Sequence, residues 1–368
     1  MKKLFLIFIL FITCVFGYNQ NYKTYYGDKM SPVDTLRALN VFINIVFDQC
    51  NPDTCDPLRN KSTPLWLPGP KNTININPPI YLLDYMDTDF DPDNIHGSFT
   101  RRYAEASFNN LIVLGDHIVV NIAQSRITTN NPNASFGLQQ LVDSTIALIN
   151  DSGGLQTIYG HNNITDYDGA YISAGYSFKP KPENHYNDRI DLIQFFMRNC
   201  TGYHGGMDAG GRASIKIRKS LLINGVGYKN DAGTIQGKIA NYNLSYPRTQ
   251  TADVHELAHN LLGMTNTAHM GGGGPLTSGV LITMEANSGG WSIIGSKRSS
   301  MLTCNGFERW RLNWLGPTNN NYPIAASNDN SDIKKSWGNK TCYLRDFVTY
   351  GDVVRIKLPY KDTGALNQ

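Results

Sequence analysis

The chain has 368 residues and a formal net charge of +3, and two of its positive charges, Lys2 and Lys3, lie at its very start. The rest of the chain is nearly neutral, which excludes a strongly basic surface that binds nucleic acid. Charged residues make up only 17% of the chain and hydrophobic residues 41%, a balance that excludes a long disordered polymer.

Residues 1–17 have the pattern of a secretory signal peptide. Lys2 and Lys3 precede the apolar run Leu4–Val15, and we expect the cut before Tyr18. The apolar run is short for a transmembrane helix, and no later stretch of the sequence reaches spanning length. The sequence therefore predicts a secreted, extracellular protein with no stable membrane insertion once the signal is removed.

Export has two consequences for the covalent chemistry of the chain. Disulfide bonds are allowed, and Cys50 and Cys55 are close enough in sequence for a local one. A thiolate that caps a metal is the alternative for this pair. Asn-x-Ser/Thr sequons predict a glycoprotein with surface acceptors. The sequons begin at Asn60, Asn133, Asn150, Asn163, Asn199, Asn243 and Asn339.

Hydrophobic spacing and breaker residues predict the elements in chain order. Helices are predicted over 32–47, 136–150, 189–198, 251–262 and 305–315. Strands are predicted over 80–83, 110–114, 117–122, 170–178, 213–223 and 353–358, with a hairpin turn at Gly115-Asp116. This succession predicts an α+β fold in which a twisted mixed sheet backs the helix at 251–262, followed by a smaller C-terminal subdomain.

Composition divides the chain into four parts. The signal peptide, 1–17, is followed by an N-terminal segment, 18–79, whose second half is rich in Pro, Asn and Asp and which we interpret as a candidate propeptide or linker. The main domain is expected over 80–316. A β-rich C-terminal segment is expected over 317–368 and is interpreted as a candidate truncated region.

The strongest chemical signal is the segment His255-Glu256-Leu257-Ala258-His259. Two histidines four residues apart lie on one face of a helix, where both imidazoles can bind one zinc ion. Glu256 projects beside the pair, so its carboxylate can take a proton from a water that zinc acidifies and pass it to a leaving amine. This pattern predicts a metal site with Glu256 as general base.

A catalytic zinc ion requires a third protein ligand and one open position. His269 is the best candidate, because a short loop can return the chain to the metal and the glycines that follow Met270 allow a tight backbone path. Thr265, Asn266 (through a water molecule) and the distant His204 are alternatives.

The stretch from His255 to Gly274 resembles the zinc helix and following turn of metzincin-type zincins. It is closest to the secreted metallopeptidases of the immune inhibitor A-like and gametolysin-like groups. The downstream segments Trp291–Gly295 and Asn305–Leu315 also resemble those groups, so the similarity covers roughly 251–317. The resemblance implies a zincin-like catalytic domain, zinc as cofactor, and hydrolysis of peptide bonds in protein or peptide substrates.

The chain departs from the metzincin pattern at two places. The positions of a helix-ending Gly and a third His are occupied by Leu262 and Thr265, and Gly263 comes one residue late. The Met expected in a turn below the metal corresponds most closely to Ile294. Two other residues could replace it, Met284 and Met301.

Two further readings follow from the same sequence. Five aspartates between Asp84 and Asp93 make calcium a second candidate cofactor, although the spacing of an EF-hand is not met. For function, the alternatives to a peptidase are an exported binding or adhesion protein with a structural zinc helix, and a zinc hydrolase that acts on glycopeptides.

Overall fold

The fold is α+β and is built around a six-stranded, strongly curled mixed sheet, a half-barrel. It is seen in a computed structural model, which describes residues 30, 32–51, 66–128, 137–157, 161–169, 187–199, 211–213, 215–236, 246–262, 293, 304–312, 314 and 341–354. None of the helices within these ranges is long and apolar enough to span a membrane.

The strands of the sheet are β1 Asp34–Val46, β2 Thr73–Ile74, β3 Leu111–Ala123, β4 Arg189–Met197, β5 Gly211–Ala213 and β7 Val226–Gln236. Across the sheet they follow the order β2-β3-β1-β4-β7-β5. The four central strands, β3, β1, β4 and β7, run parallel, whereas β2 and β5 pair antiparallel at the two ends. A short strand, β6 (Leu221–Ile223), forms a separate antiparallel ladder with β7.

Helices cover both faces of the sheet. Their bounds are α1 Leu82–Tyr85, α2 Ser98–Ser107, α3 Gln124–Ile127, α4 Leu138–Asp151, α5 Tyr246–Leu262, α6 Gly306–Leu312 and α7 Phe347–Tyr350. One core cluster joins α2 and α5 to the sheet, and a second joins α4 to the opposite face. Both faces of the central strands are therefore buried.

The helices predicted over 32–47 and 189–198 are wrong, since both segments are central strands. In β1 the side chains of Leu36 and Phe42 enter one core cluster while those of Leu39 and Ile43 enter the other. A strand buried on both faces reads as a continuous apolar run without alternation. Such a run also contains apolar residues at helical spacing, which explains the error.

The hairpin predicted at Gly115-Asp116 is also wrong, because β3 continues through both residues in parallel register with β1. A Cβ at Gly115 would lie 2.3 Å from Asn40 Nδ2 and 2.3 Å from Met86 Sδ. The glycine therefore serves a close approach inside the sheet and not a turn.

The remaining predictions have mixed outcomes. The helix over 136–150 is confirmed as α4, whereas 80–83 is not a strand and leads into α1. Only the two ends of 213–223 are strands, and residues 353–354 have no regular structure. The strand at 170–178 lies outside the described residues. The segment 18–79, interpreted as a candidate propeptide or linker, contains the central strand β1, so residues 34–46 are part of the folded domain.

Candidate metal centre

Helix α5 carries the predicted metal motif and begins at Tyr246, five residues before the predicted start. Its apolar side chains join the core cluster beneath the helix. These are Val254, Leu257, Ala258 and Leu261, which recur at the three- and four-residue spacing of one helix face. Packing against the sheet thus holds the motif in place and buries it.

His255 and His259 are 2% and 8% exposed. Their Nε2 atoms lie 3.1 Å apart, and the two rings meet edge to face at a centroid distance of 4.7 Å. Two nitrogens bound to one tetrahedral zinc at 2.0–2.1 Å are about 3.3 Å apart. The imidazole pair therefore fits a shared zinc ion with little adjustment. The same distance also suits a hydrogen bond in which one ring donates to the other.

Glu256 lies next to the first histidine and is 4% exposed. Its backbone carbonyl accepts a hydrogen bond from Asn260 Nδ2 at 3.1 Å, one turn along the helix. The chain thus buries an acidic residue on the same helical turn as the two imidazoles. This arrangement can bind a divalent cation and move a proton near it.

Two tyrosines from the other helices of this face hold the helical turn before the motif. Tyr103 in α2 donates its hydroxyl to the Val254 carbonyl at 2.8 Å, and Tyr85 in α1 donates to Asp253 Oδ2 at 2.9 Å. Burial raises the pKa of Asp253 well above its usual value, against the lowering effect of the Tyr85 hydrogen bond. Sequence reasoning missed these three residues, because nothing in the spacing connects positions 151 and 168 residues apart.

The downstream helix α6 is capped as predicted. Asn305 Oδ1 accepts from the Glu308 backbone N–H at 2.9 Å, and Glu308 Oε2 accepts from the Asn305 N–H at 2.9 Å. Glu308 also accepts the N–H of Ile293 at 3.1 Å. Trp314, just past the helix, donates its indole N–H to the Pro32 carbonyl at 2.6 Å. The segment following the motif is thus tied to the start of the central strand.

The third ligand cannot be placed from the described residues, because His269 and its alternatives Thr265, Asn266 and His204 lie outside them. Ile294, Met284 and Met301 also lie outside. Within the described ranges no group of three or more His, Cys, Asp or Glu side chains could hold a metal ion. The structure therefore brings together two of the three predicted ligands.

Two of the five aspartates considered for calcium accept hydrogen bonds from the backbone of their own loop. Asp87 accepts the backbone N–H groups of His96 and Gly97, at 3.2 and 2.6 Å. Asp91 Oδ1 accepts the N–H of Asp93 at 2.9 Å. These contacts organise the loop before α2, and the described carboxylates of this loop form no cluster that could hold a metal.

The residues expected to carry covalent modifications can be placed in part. Cys50 is disulfide-bonded to a partner outside the described residues, while Cys304 and Cys342 are free thiols. Asn199 is fully buried, and its amide bonds the backbone of Ile45 through both Nδ2 and Oδ1, at 2.8 and 2.9 Å. The expectation that Asn199 is a surface glycan acceptor is therefore wrong.

No protein-family model matches the chain, and a search of curated proteins found no similar sequence.

Proposed function

We propose that this protein is a secreted zinc-dependent endopeptidase. The observation that supports the proposal best is the pair of buried imidazole nitrogens of His255 and His259, 3.1 Å apart, with Glu256 beside them on one helical turn. The resemblance of the segment from His255 to Gly274 to metzincin-type zincins supports the same class. His269 is proposed as the third ligand.

Each residue of the motif has a defined task in this proposal. His255 and His259 bind zinc through neutral Nε2 atoms, and burial keeps both rings from rotating away. When bound, a zinc ion would act as a Lewis acid and lower the pKa of a water molecule. Glu256 accepts the proton of the attacking water and returns it to the leaving amine. The substrates are proteins or peptides, and the site of action is outside the cell.

Glu256→Gln tests the catalytic assignment. We expect casein or peptide cleavage to fall about 10²- to 10⁴-fold, because the amide cannot accept the proton, while bound zinc stays near one per chain. Glu105→Gln is the matched control: it makes the same change on a side chain that is 59% exposed on α2. A Glu256→Gln protein that cleaves at the wild-type rate, or a wild type that binds no zinc, contradicts the proposal.

His269→Ala tests the third ligand. Loss of one of three protein ligands should lower zinc affinity by at least 10-fold, a penalty that even outer-shell changes can reach. The measurement is zinc retained after dialysis against a graded series of chelator concentrations. His96→Ala is the control, since His96 is exposed in the loop before α2. Equal zinc retention in both variants would assign the third ligand to another residue.

Zinc content, peptide cleavage and a substrate panel together separate the alternatives. Tightly bound zinc without any peptide cleavage would favour an exported binding protein with a structural zinc helix. Cleavage restricted to glycosylated peptides in a substrate panel would favour the glycopeptide hydrolase.

A further inference from the structure

Four polar side chains lie side by side across the central strands beneath α5. We call His117, Asn40, Gln194 and Thr234 the polar row. Asn40 is paired in register with His117 on β3 and with Gln194 on β4, and Gln194 is paired with Thr234 on β7. Paired residues of neighbouring strands point to the same face of a sheet. The row therefore crosses four strands in one line.

The polar row faces the helix layer that contains α2 and α5. Two positions further along their strands, Phe42 and Phe196 belong to the core cluster that includes Val254 and Leu257 of α5. Side chains two residues apart on a strand share a face. The row is thus a polar stripe within an otherwise apolar layer between the sheet and the helix that carries the metal motif.

Every member of the polar row is buried, and every one has a polar atom without a protein partner. Asn40, Gln194 and Thr234 are fully buried and His117 is 8% exposed. In the part of the chain that the structure describes, no protein atom bonds Asn40 Oδ1, His117 Nε2, Thr234 Oγ1 or either amide atom of Gln194. A buried polar group that lacks a partner lowers stability by its full desolvation cost. Unpartnered atoms on four neighbouring side chains would together remove much of the small net stability of a typical domain.

The chemistry of the polar row selects its ligand. Gln194 offers both a donor and an acceptor, whereas Asn40 Oδ1 is an acceptor and the Thr234 hydroxyl can be either. Burial lowers the pKa of His117 to about 4, so its ring is neutral and the row carries no charge at neutral pH. A cation cannot accept hydrogen bonds from the Gln194 N–H groups, and an anion would be repelled by the acceptor oxygens of the row. Water donates and accepts, so it suits both kinds of atom.

The helix layer and the adjoining sheet positions suit the same ligand. Asp253 Oδ1 and Asn260 Oδ1 on α5 are also buried and have no partner among the described residues. The register beside the row is occupied by alanine on two of its four strands, Ala38 and Ala232, whereas Asn40 Nδ2 and Met86 Sδ fill the space beside Gly115. The small alanine side chains leave more room for an internal water molecule than larger apolar side chains would.

We propose that the polar row binds a file of ordered internal water molecules between the sheet and the helix layer. These waters complete the hydrogen bonds of Asn40, Gln194 and Thr234 and link the sheet to the layer that holds the metal helix. The proposal does not depend on the peptidase assignment, because the row shares no residue with the metal motif.

Thr234→Val tests the proposal, with Thr145→Val as the matched control. The Thr145 hydroxyl on α4 is also fully buried and has no hydrogen-bond partner among the residues that the structure describes, but its helix neighbours Leu141 and Ile149 are apolar. A lone hydroxyl cannot supply the two or more partners that a buried water requires. In urea unfolding, the equilibrium constant for unfolding of Thr234→Val should be about three- to ten-fold higher than that of the wild type, because the variant loses a water-mediated hydrogen bond. The unfolding constant of Thr145→Val should equal that of the wild type or be lower.

A lower unfolding constant for Thr234→Val would overturn the proposal, because it would mean that the hydroxyl has no partner to lose. A crystal structure of the wild type gives the second readout. Waters within 2.7–3.2 Å of Gln194 and Thr234 are the expected result. Direct bonds between Asn40, Gln194 and Thr234 with no water among them, or a metal cation in their place, would each overturn it.

Discussion

Buried carboxyl groups give individual residues a strong influence on stability. Asp191 is 6% exposed, and its Oδ2 accepts the Gly169 N–H at 2.9 Å. Burial first, and then the charges of Asp168 and Asp231, raise the pKa of Asp191 to about 8 from the ordinary 3.8. The folded chain therefore keeps a proton over a pH range in which the unfolded chain has lost it.

The raised pKa of Asp191 determines whether the stability of the protein rises or falls with pH. Because the folded state binds more protons than the unfolded state between the two pKa values, 3.8 and about 8, Asp191 makes the protein less stable as pH rises through that window. Asp191→Asn imitates the protonated form. We expect the variant to exceed the melting temperature of the wild type by a small margin at pH 5 and by a larger margin at pH 8, as measured by thermal unfolding. Asp93→Asn, an exposed loop change, should shift neither value; equal melting at pH 8 for Asp191→Asn and wild type would refute the assignment.

At the scale of elements, β3 depends on a glycine in its interior. A Cβ at Gly115 would overlap Asn40 Nδ2 and Met86 Sδ, each at 2.3 Å, and both neighbours are buried. Gly115→Ala should therefore lower the free energy of unfolding by about 1–3 kcal/mol, the usual cost of overpacking. Gly137→Ala is the control, because a Cβ there meets nothing within 4 Å. If chemical denaturation gives equal losses for both, the close approach around Gly115 is not restrictive.

The whole molecule is organised around β1, which lies between β3 and β4. A chain that begins at residue 80 lacks this strand and leaves the edges of β3 and β4 unpaired and their apolar faces exposed. We expect it to show no cooperative thermal transition and no zinc binding, whereas a chain that begins at residue 18 should show both. Circular dichroism and zinc analysis measure the two outcomes. A folded, zinc-binding chain from residue 80 would restore the interpretation of 18–79 as a propeptide or linker.

Local signals in the sequence predicted the elements that local interactions determine. The helix around His255 and His259, the amphipathic α4 and the cap formed by Asn305 and Glu308 were all predicted from spacing within a few turns. In each of them the informative contacts join residues three or four positions apart, so the sequence alone contains the pattern.

Only the tertiary structure decided two kinds of feature: strands that are buried on both faces, and contacts between residues that are distant in sequence. β1 and β4 resemble helices in sequence because their two faces are both apolar, and only the sheet distinguishes the two interpretations. Tyr85 and Tyr103 bond α5 from 168 and 151 residues away, and the polar row exists only through the register of four strands. Pairing across such separations is set by the packing of the whole sheet, which no short stretch of sequence encodes.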